Sequence, residues 1–339
     1  LAHVRRQGAV SAYVDEVLLP IAGHLEEQPA LRADLLRWLQ QGGRLVLITR
    51  GSYEPFGEDR GVRERILQAI PAALRPQVIV YANGFVQKFT YDATGAGHED
   101  EAYRRGKFIP QDDVDQILPL AQQRAEEFQA RYGYAPAVFD QTYPGQPQQS
   151  AESFRQVWEK FGQRVQVMAR GPIREDHTQV GVAQIALLPL PSHYFAGLEG
   201  WPAARPSERV RLIGELARDL EDAGLRGYMV RPGGWATIEI VQAGVSKADL
   251  LRDLVRMGLQ EDAVLYVDNQ DFEGVVSFPA LAIAAVSPEP AQLPERLLRT
   301  DWARTAWIAP GGPAAVARLM REVAGAEPTH EQGLARQHG

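Results

Sequence analysis

The chain has 339 residues, 45% of them hydrophobic and 23% charged, and a formal net charge of -7, a balance that describes a globular chain with a sizeable core and excludes a disordered one. Its arginines are scattered among acids, which argues against a nucleic-acid partner, because a phosphate backbone demands clustered Lys and Arg. The absence of cysteine excludes a disulfide scaffold, a thiolate zinc site and a cysteine nucleophile together.

The length exceeds one ordinary domain, so two lobes are expected. No apolar run approaches the roughly 18 residues of a membrane span, and the first residues carry no apolar stretch of signal-peptide length. No membrane association is expected, and a cytoplasmic protein is the default. The seven histidines show no i, i+4 pair, which speaks against a histidine metal site. Nothing in the sequence fixes the oligomeric state.

In chain order, strand and helix alternate at the start: "AVSAYVD", helix "PALRADLLRWLQQGG", strand "RLVLIT", helix "RGVRERILQAI", strand "QVIVYANG". Leu31, Leu35, Leu36 and Leu39 recur at helical spacing, and the strands are near-continuous apolar runs of the kind buried on both faces. From about residue 85 to 234 the texture changes. Three amphipathic helices, "DDVDQILPLAQQRAEEFQARYG", "ESFRQVWEKFG" and "SERVRLIGELARDLEDAG", alternate with the shorter strands "PAVFDQ", "VQVMAR", "QIALLPL" and "GYMVR", and the connector "QTYPGQPQQS" is rich in Gln and Pro. The first pattern then returns with "WATIEIV", helix "KADLLRDLVRMG", strands "AVLYVD", "ALAIAAVS" and "TAWIA", and a final helix "GPAAVARLMREVA". The pattern predicts an α/β protein: a Rossmann-like parallel sheet core from residues 1–84 and 235–325, an inserted α/β lobe from 85–234, and a tail from 326–339.

Ligands of open α/β sheets sit outside the carboxyl ends of the strands. Asp15 ends the first strand, Thr49 ends "RLVLIT", Asp268 ends "AVLYVD", and Lys247 follows "WATIEIV". Ser246 reads as a helix N-cap with Asp249 three residues on, which puts Lys247 in the first turn. A cation there opposes the helix dipole, so its presence points to an anion, above all phosphate. The plain alternative is a solvated surface lysine. Thr49, with the amides of Arg50 and Gly51, is placed to hold the same anion, and a strand-end threonine or helix cap is the alternative. Asp268 and Asp271 offer two carboxylates to a hard cation such as Mg²⁺, although turn-forming residues look much the same.

These stretches resemble the haloacid dehalogenase (HAD) superfamily, specifically its Cof-like and sugar-phosphatase group with an inserted α/β cap. "LVLITRGSYEP" is similar to the family's second motif, "VIVYANGF" to its Asn-Gly strand end at Asn83 and Gly84, "IEIVQAGVSKADLL" to its third motif with Lys247, and "AVLYVDNQDFEG" to its fourth. The resemblance implies phosphate monoester hydrolysis on a small phosphorylated metabolite, a sugar phosphate among the candidates. The roles it implies are catalysis by Asp15, Thr49 and Lys247, phosphate binding by Thr49, Arg50, Gly51 and Lys247, and Mg²⁺ binding by Asp15, Asp268 and Asp271.

The first motif departs from the family's pair of aspartates. One register sets Tyr13 at the nucleophile, Asp15 at the acid-base position, Glu16 at the glycine and Val17 at the threonine. A shifted register makes Asp15 the nucleophile and Val17 the acid-base residue. One carboxylate is missing either way. In the fourth motif Val267 stands for Gly, Asp271 for Asn and Phe272 for the second acid. A phenol, with an ordinary pKa near 10, is a poor nucleophile at neutral pH. The alternative is therefore a catalytically inactive HAD-like pseudophosphatase that binds a ligand or regulates.

Overall fold

The computed structural model describes residues 8–14, 17–20, 23–55, 60–132, 166–172, 179–188, 206–232, 238–268, 278, 280, 282–287, 306–310 and 312–324. The chain divides into two compact units, the first of residues 1–105, 173–178 and 244–339, the second of residues 106–172 and 179–243.

The first unit opens with β1 (Ala9–Tyr13), α1 (Pro29–Gln40), β2 (Arg44–Ile48), α2 (Gly61–Arg65), β3 (Val78–Ala82), β4 (Gln87–Tyr91), β5 (Gly97–Glu99) and α3 (Glu101–Arg104). The second unit holds α4 (Gln111–Tyr132), β6 (Gln166–Arg170), β7 (Gln184–Leu188), α5 (Pro206–Asp222), β8 (Tyr228–Pro232) and β9 (Ile238–Gln242). The chain then returns to the first unit as α6 (Lys247–Arg256), β10 (Val264–Asp268), β11 (Ala282–Ser287), β12 (Ala306–Pro310) and α7 (Gly312–Val323).

The first unit is built on one eight-stranded sheet in the order β12-β11-β10-β1-β2-β3-β4-β5. Strands β12 to β3 pair in parallel, and β4 and β5 add on antiparallel. Central strands β1, β2, β3 and β10 are buried almost throughout, which is why their sequences run apolar without alternation. Alternate residues still choose faces. Val10, Ala12, Leu45, Leu47, Val78, Val80 and Ala82 pack with Leu31, Leu35, Trp38 and Leu39 of α1 and Val316, Leu319, Met320 and Val323 of α7. Each large side chain buried there contributes about 1.5–3 kcal/mol. Tyr81, of the opposite parity, instead hydrogen-bonds Asp253 of α6.

In the second unit the antiparallel sheet β6-β7-β9-β8 presents Ile185, Leu187, Ile238 and Ile240 to the apolar stripes of α4 (Val114, Ile117, Ala121) and α5 (Leu212, Leu216, Leu220). The two helices are tied by Arg124, whose Nε and Nη2 donate to Asp219 at 2.5 and 2.7 Å.

The observed division differs from the one read in the sequence. Residues 85–105, expected in the insert, extend the large sheet as β4 and β5. The cause is local: Asn83 (φ 53) and Gly84 (φ 69) take the left-handed conformation of a tight turn, so β4 folds straight back on β3 as a hairpin. The strand within "WATIEIV", expected in the core, is β9, which is hydrogen-bonded on both sides to β7 and β8 of the smaller sheet. The second predicted helix shortens to α2, because the chain tightens into a 3-10 turn at Leu67–Ala69 ahead of Pro71. The expected helix "ESFRQVWEKFG", the strand "PAVFDQ" and the tail lie outside the described residues. No helix among the described residues is long and apolar enough to cross a membrane.

Candidate functional site

Strand register brings the candidate residues to one edge of the large sheet. Tyr13, the last residue of β1, pairs with Ile48, the last of β2, so Thr49 follows directly after that strand end. On the other side of β1, Ala12 pairs with Val267, which puts Asp268 at the end of β10 beside Tyr13. These are carboxyl ends of parallel neighbours, where loops and helix starts converge.

Lys247 arrives there because of how α6 begins. Gly244 has φ 88, and Ser246, extended at φ -143, caps the helix by accepting from the Asp249 amide at 3.2 Å. Ser246 Oγ also donates to Asp249 Oδ2 at 2.6 Å, so the cap anticipated from sequence forms. Lys247 is then the first helical residue, and its side chain turns inward, 6% exposed. Lys247 Nζ lies 2.5 Å from Asp268 Oδ2. The same oxygen accepts from Tyr266 Oη at 2.6 Å. The ammonium also lies 4.9 Å from the centre of the Tyr13 ring, within range of cation–π attraction. A buried lysine at a dipole-disfavoured position is thus compensated by a fully buried carboxylate and an aromatic face.

The Thr49 loop is equally fixed. Thr49 is 1% exposed, and its amide donates to the Tyr81 carbonyl at 2.9 Å. The Gly51 amide donates to Thr49 Oγ1 at 2.9 Å, and the Gly51 carbonyl accepts from the Asn83 amide at 2.8 Å. The Asn-Gly turn after β3 therefore holds the loop after β2. Lys247 meets both Asp268 and the Tyr13 ring, while Thr49, Arg50 and Gly51 form the adjacent strand end. Asp15 and Asp271 lie outside the described residues, as does Phe272. Tyr266 was missed from sequence, although it stands two residues before Asp268 and hence on the same side of β10.

Comparison with solved structures places this architecture. N-terminally truncated IMP-nucleotidase of Plasmodium falciparum matches with a TM-score of 0.51 and 12% identity, over 94% of this chain and 71% of that one. A haloacid dehalogenase-like hydrolase of Bacteroides thetaiotaomicron matches with a TM-score of 0.52 and 14% identity, over 94% and 99%. The chain has the haloacid dehalogenase-like (HAD-like) fold. Trehalose-6-phosphate phosphatase of Aspergillus fumigatus shares it, with a TM-score of 0.51 and 11% identity over 96% of each chain. No protein-family profile matches the sequence, and no curated protein does.

The HAD-like fold raises the question of Mg²⁺. A hard divalent cation takes several oxygen ligands, and among the described residues no group of three or more acids and histidines is placed to hold one. Of the three candidate ligands, Asp268 is the one described, and its Oδ2 already receives an ammonium and a phenol hydroxyl.

Proposed function

We propose that the carboxyl ends of β1, β2 and β10 hold the phosphoryl group of a small phosphorylated metabolite, and that the reaction class is phosphate monoester hydrolysis. One observation carries the reading: Lys247, in the first turn of α6, is buried at the strand ends beside Tyr13 and Asp268. A cation at a helix start is poorly placed for stability but well placed for an oxyanion, which meets a positive charge and the helix amides together. Thr49 supplies a hydroxyl from the neighbouring strand end, in a loop fixed by Gly51 and Asn83. The HAD-like fold, shared with an IMP-nucleotidase and a trehalose-6-phosphate phosphatase, supports the same class of ligand, although fold alone does not decide chemistry.

In this reading Lys247 neutralises charge on the phosphoryl oxygens, Thr49 and its loop orient them, and Asp15 supplies the carboxylate of the reaction. A phosphate-release assay over a panel of sugar phosphates and nucleotides tests it. Release that falls to background on Lys247→Met and on Asp15→Asn supports the reading, and release insensitive to both puts the chemistry elsewhere.

A second reading has its own support. The phenol ring of Tyr13 lies beneath the Lys247 ammonium, where covalent phosphoryl transfer requires a carboxylate. On that basis the chain is a pseudophosphatase that retains the ligand and turns it over at background rate. Phosphate binding by calorimetry without phosphate release would select it.

A further inference from the structure

We propose that Asp253 is a positioning residue of the anion site: gripped by Tyr81 and Lys88 of the β3–β4 hairpin, it fixes where α6 carries Lys247, while the same hairpin fixes the loop of Thr49. The inference rests on the phosphoryl-binding reading above and deepens it.

Tyr81 and Lys88 are cross-strand partners in β3 and β4, so their side chains leave the same face of the sheet. Both reach one atom of α6: Asp253 Oδ2 accepts from Tyr81 Oη at 2.7 Å and pairs with Lys88 Nζ at 3.0 Å. Lys88 is buried and anchored twice, its carbonyl accepting from the Asp100 amide at 2.8 Å and its Nζ lying 2.9 Å from Asp100 Oδ2. Register carries this grip to the anion site. Tyr13, Ile48 and Tyr81 stand level on β1, β2 and β3, so Tyr13 and Tyr81 are two strands and about 10 Å apart. Lys247 and Asp253 are six residues apart on α6, about 9 Å of helix. The match lets α6 lie across the sheet with Lys247 at the Tyr13 ring and Asp253 at Tyr81. Tyr81 serves the other side of the site as well: its carbonyl accepts from the Thr49 amide at 2.9 Å, and two residues on the Asn83 amide donates to the Gly51 carbonyl at 2.8 Å. Asn83 Nδ2 in turn donates to Gln87 Oε1 at 2.5 Å across the hairpin, next to Lys88. A buried ion pair is a weak source of stability, and its best-attested use is to fix the arrangement of packed elements. Here it fixes the helix that carries Lys247 against the hairpin that holds Thr49.

The test titrates the full chain with inorganic phosphate by calorimetry. Asp253→Asn, which keeps the shape and removes the charge, should weaken phosphate about tenfold, within the range by which residues that touch no ligand modulate a site. Lys88→Met/Asp253→Asn takes out both charges of the pair and should weaken it at least as much. Asp253→Glu, which keeps a carboxylate for Lys88, should bind more tightly than Asp253→Asn. Gly43→Ala is the control for lost stability alone: its methyl would meet Trp38 ahead of β2, at the end of that strand away from Thr49, so it should bind phosphate as the natural protein does. Binding by the natural protein that is unchanged in both Asp253→Asn variants overturns the inference and leaves the phosphoryl-binding reading standing. So does an equal loss in Gly43→Ala, which would trace the effect to general loosening, and so does a failure of Asp253→Glu to recover any affinity. No phosphate binding by the natural protein overturns both.

Discussion

Lys247 Nζ and Asp268 Oδ2 lie 2.5 Å apart with side chains 6% and 1% exposed, so the ion pair that closes the sheet edge is shielded from water. Removing one partner takes the counter-charge at 2.5 Å away from a buried charge. Lys247→Met or Asp268→Asn alone should cost about 3–5 kcal/mol, whereas the double substitution should cost distinctly less, because no charge is left stranded. Urea denaturation of the three variants reads the difference. Strictly additive losses would mean that the two charges do not stabilise each other.

A second prediction concerns the turn into β2. A Cβ added at Gly43 would come within 2.0 Å of Trp38 Cε2, and the Trp38 ring is 1% exposed between α1 and the sheet. Gly43→Ala should therefore destabilise by about 1–3 kcal/mol, the usual cost of overpacking. Trp38→Ala should cost about 3–5 kcal/mol. With the ring gone, the added methyl at residue 43 should be nearly harmless, so a double-mutant cycle by thermal denaturation should be strongly non-additive.

The third prediction follows α6 to its other end. Asp253 Oδ2 accepts from Tyr81 Oη at 2.7 Å and pairs with Lys88 Nζ at 3.0 Å, while Lys88 also pairs with Asp100 at 2.9 Å. Burial of the Tyr81 ring and the nearby Asp253 charge push that phenol far above its ordinary value, so it stays a donor throughout the working range. Burial works to raise the Asp100 carboxyl, but the Lys88 hydrogen bond and the Tyr103 and Ala102 amides outweigh it and hold Asp100 below the usual carboxylate value. A depressed folded value means stabilisation that is complete above the unfolded value near 3.9 and is lost as pH falls through the folded one. The Asp100 contribution should thus be flat from pH 5 to 8 and decline only below about pH 4. Asp100→Asn should flatten the acid limb of a melting-temperature profile. An effect confined to neutral pH would contradict the assignment.

Much of this was legible in the sequence because the determinants are local. The apolar runs of β1, β2, β3 and β10 announce a sheet buried on both faces, and Ser246 with Asp249 announces where α6 begins. What escaped depends on pairing between distant segments. β9 and β10 both read as short strands, and neither sequence names the partner strands it will pair with. The β3–β4 hairpin did leave a signal, Asn83-Gly84, but one that also marks the end of a strand. Lys247 and Asp268 were singled out separately for an anion and a cation. Their direct contact, joined by Tyr266, arises from the tertiary placement of α6 against β10 and has no trace in spacing.

The last prediction tests catalysis at Tyr13. Its ring ends β1 beneath Lys247, and a phenol with an ordinary pKa near 10 does not readily attack phosphorus. The natural protein should therefore release phosphate slowly from monoesters, and Tyr13→Phe should leave that rate unchanged. Tyr13→Asp sets a carboxylate at the strand end and should raise the rate, with Asp15→Asn in that background removing about 10²–10⁴ of it, the range of general acid–base assistance. The same substitution changes the charge balance. The introduced carboxylate and that of Asp268 would together face one ammonium, leaving a negative charge for a divalent ion to neutralise. The activity gained by Tyr13→Asp should accordingly rise with Mg²⁺. Robust turnover by the natural protein that survives Tyr13→Phe and vanishes on Asp15→Asn would make Asp15 the nucleophile and end the pseudophosphatase reading.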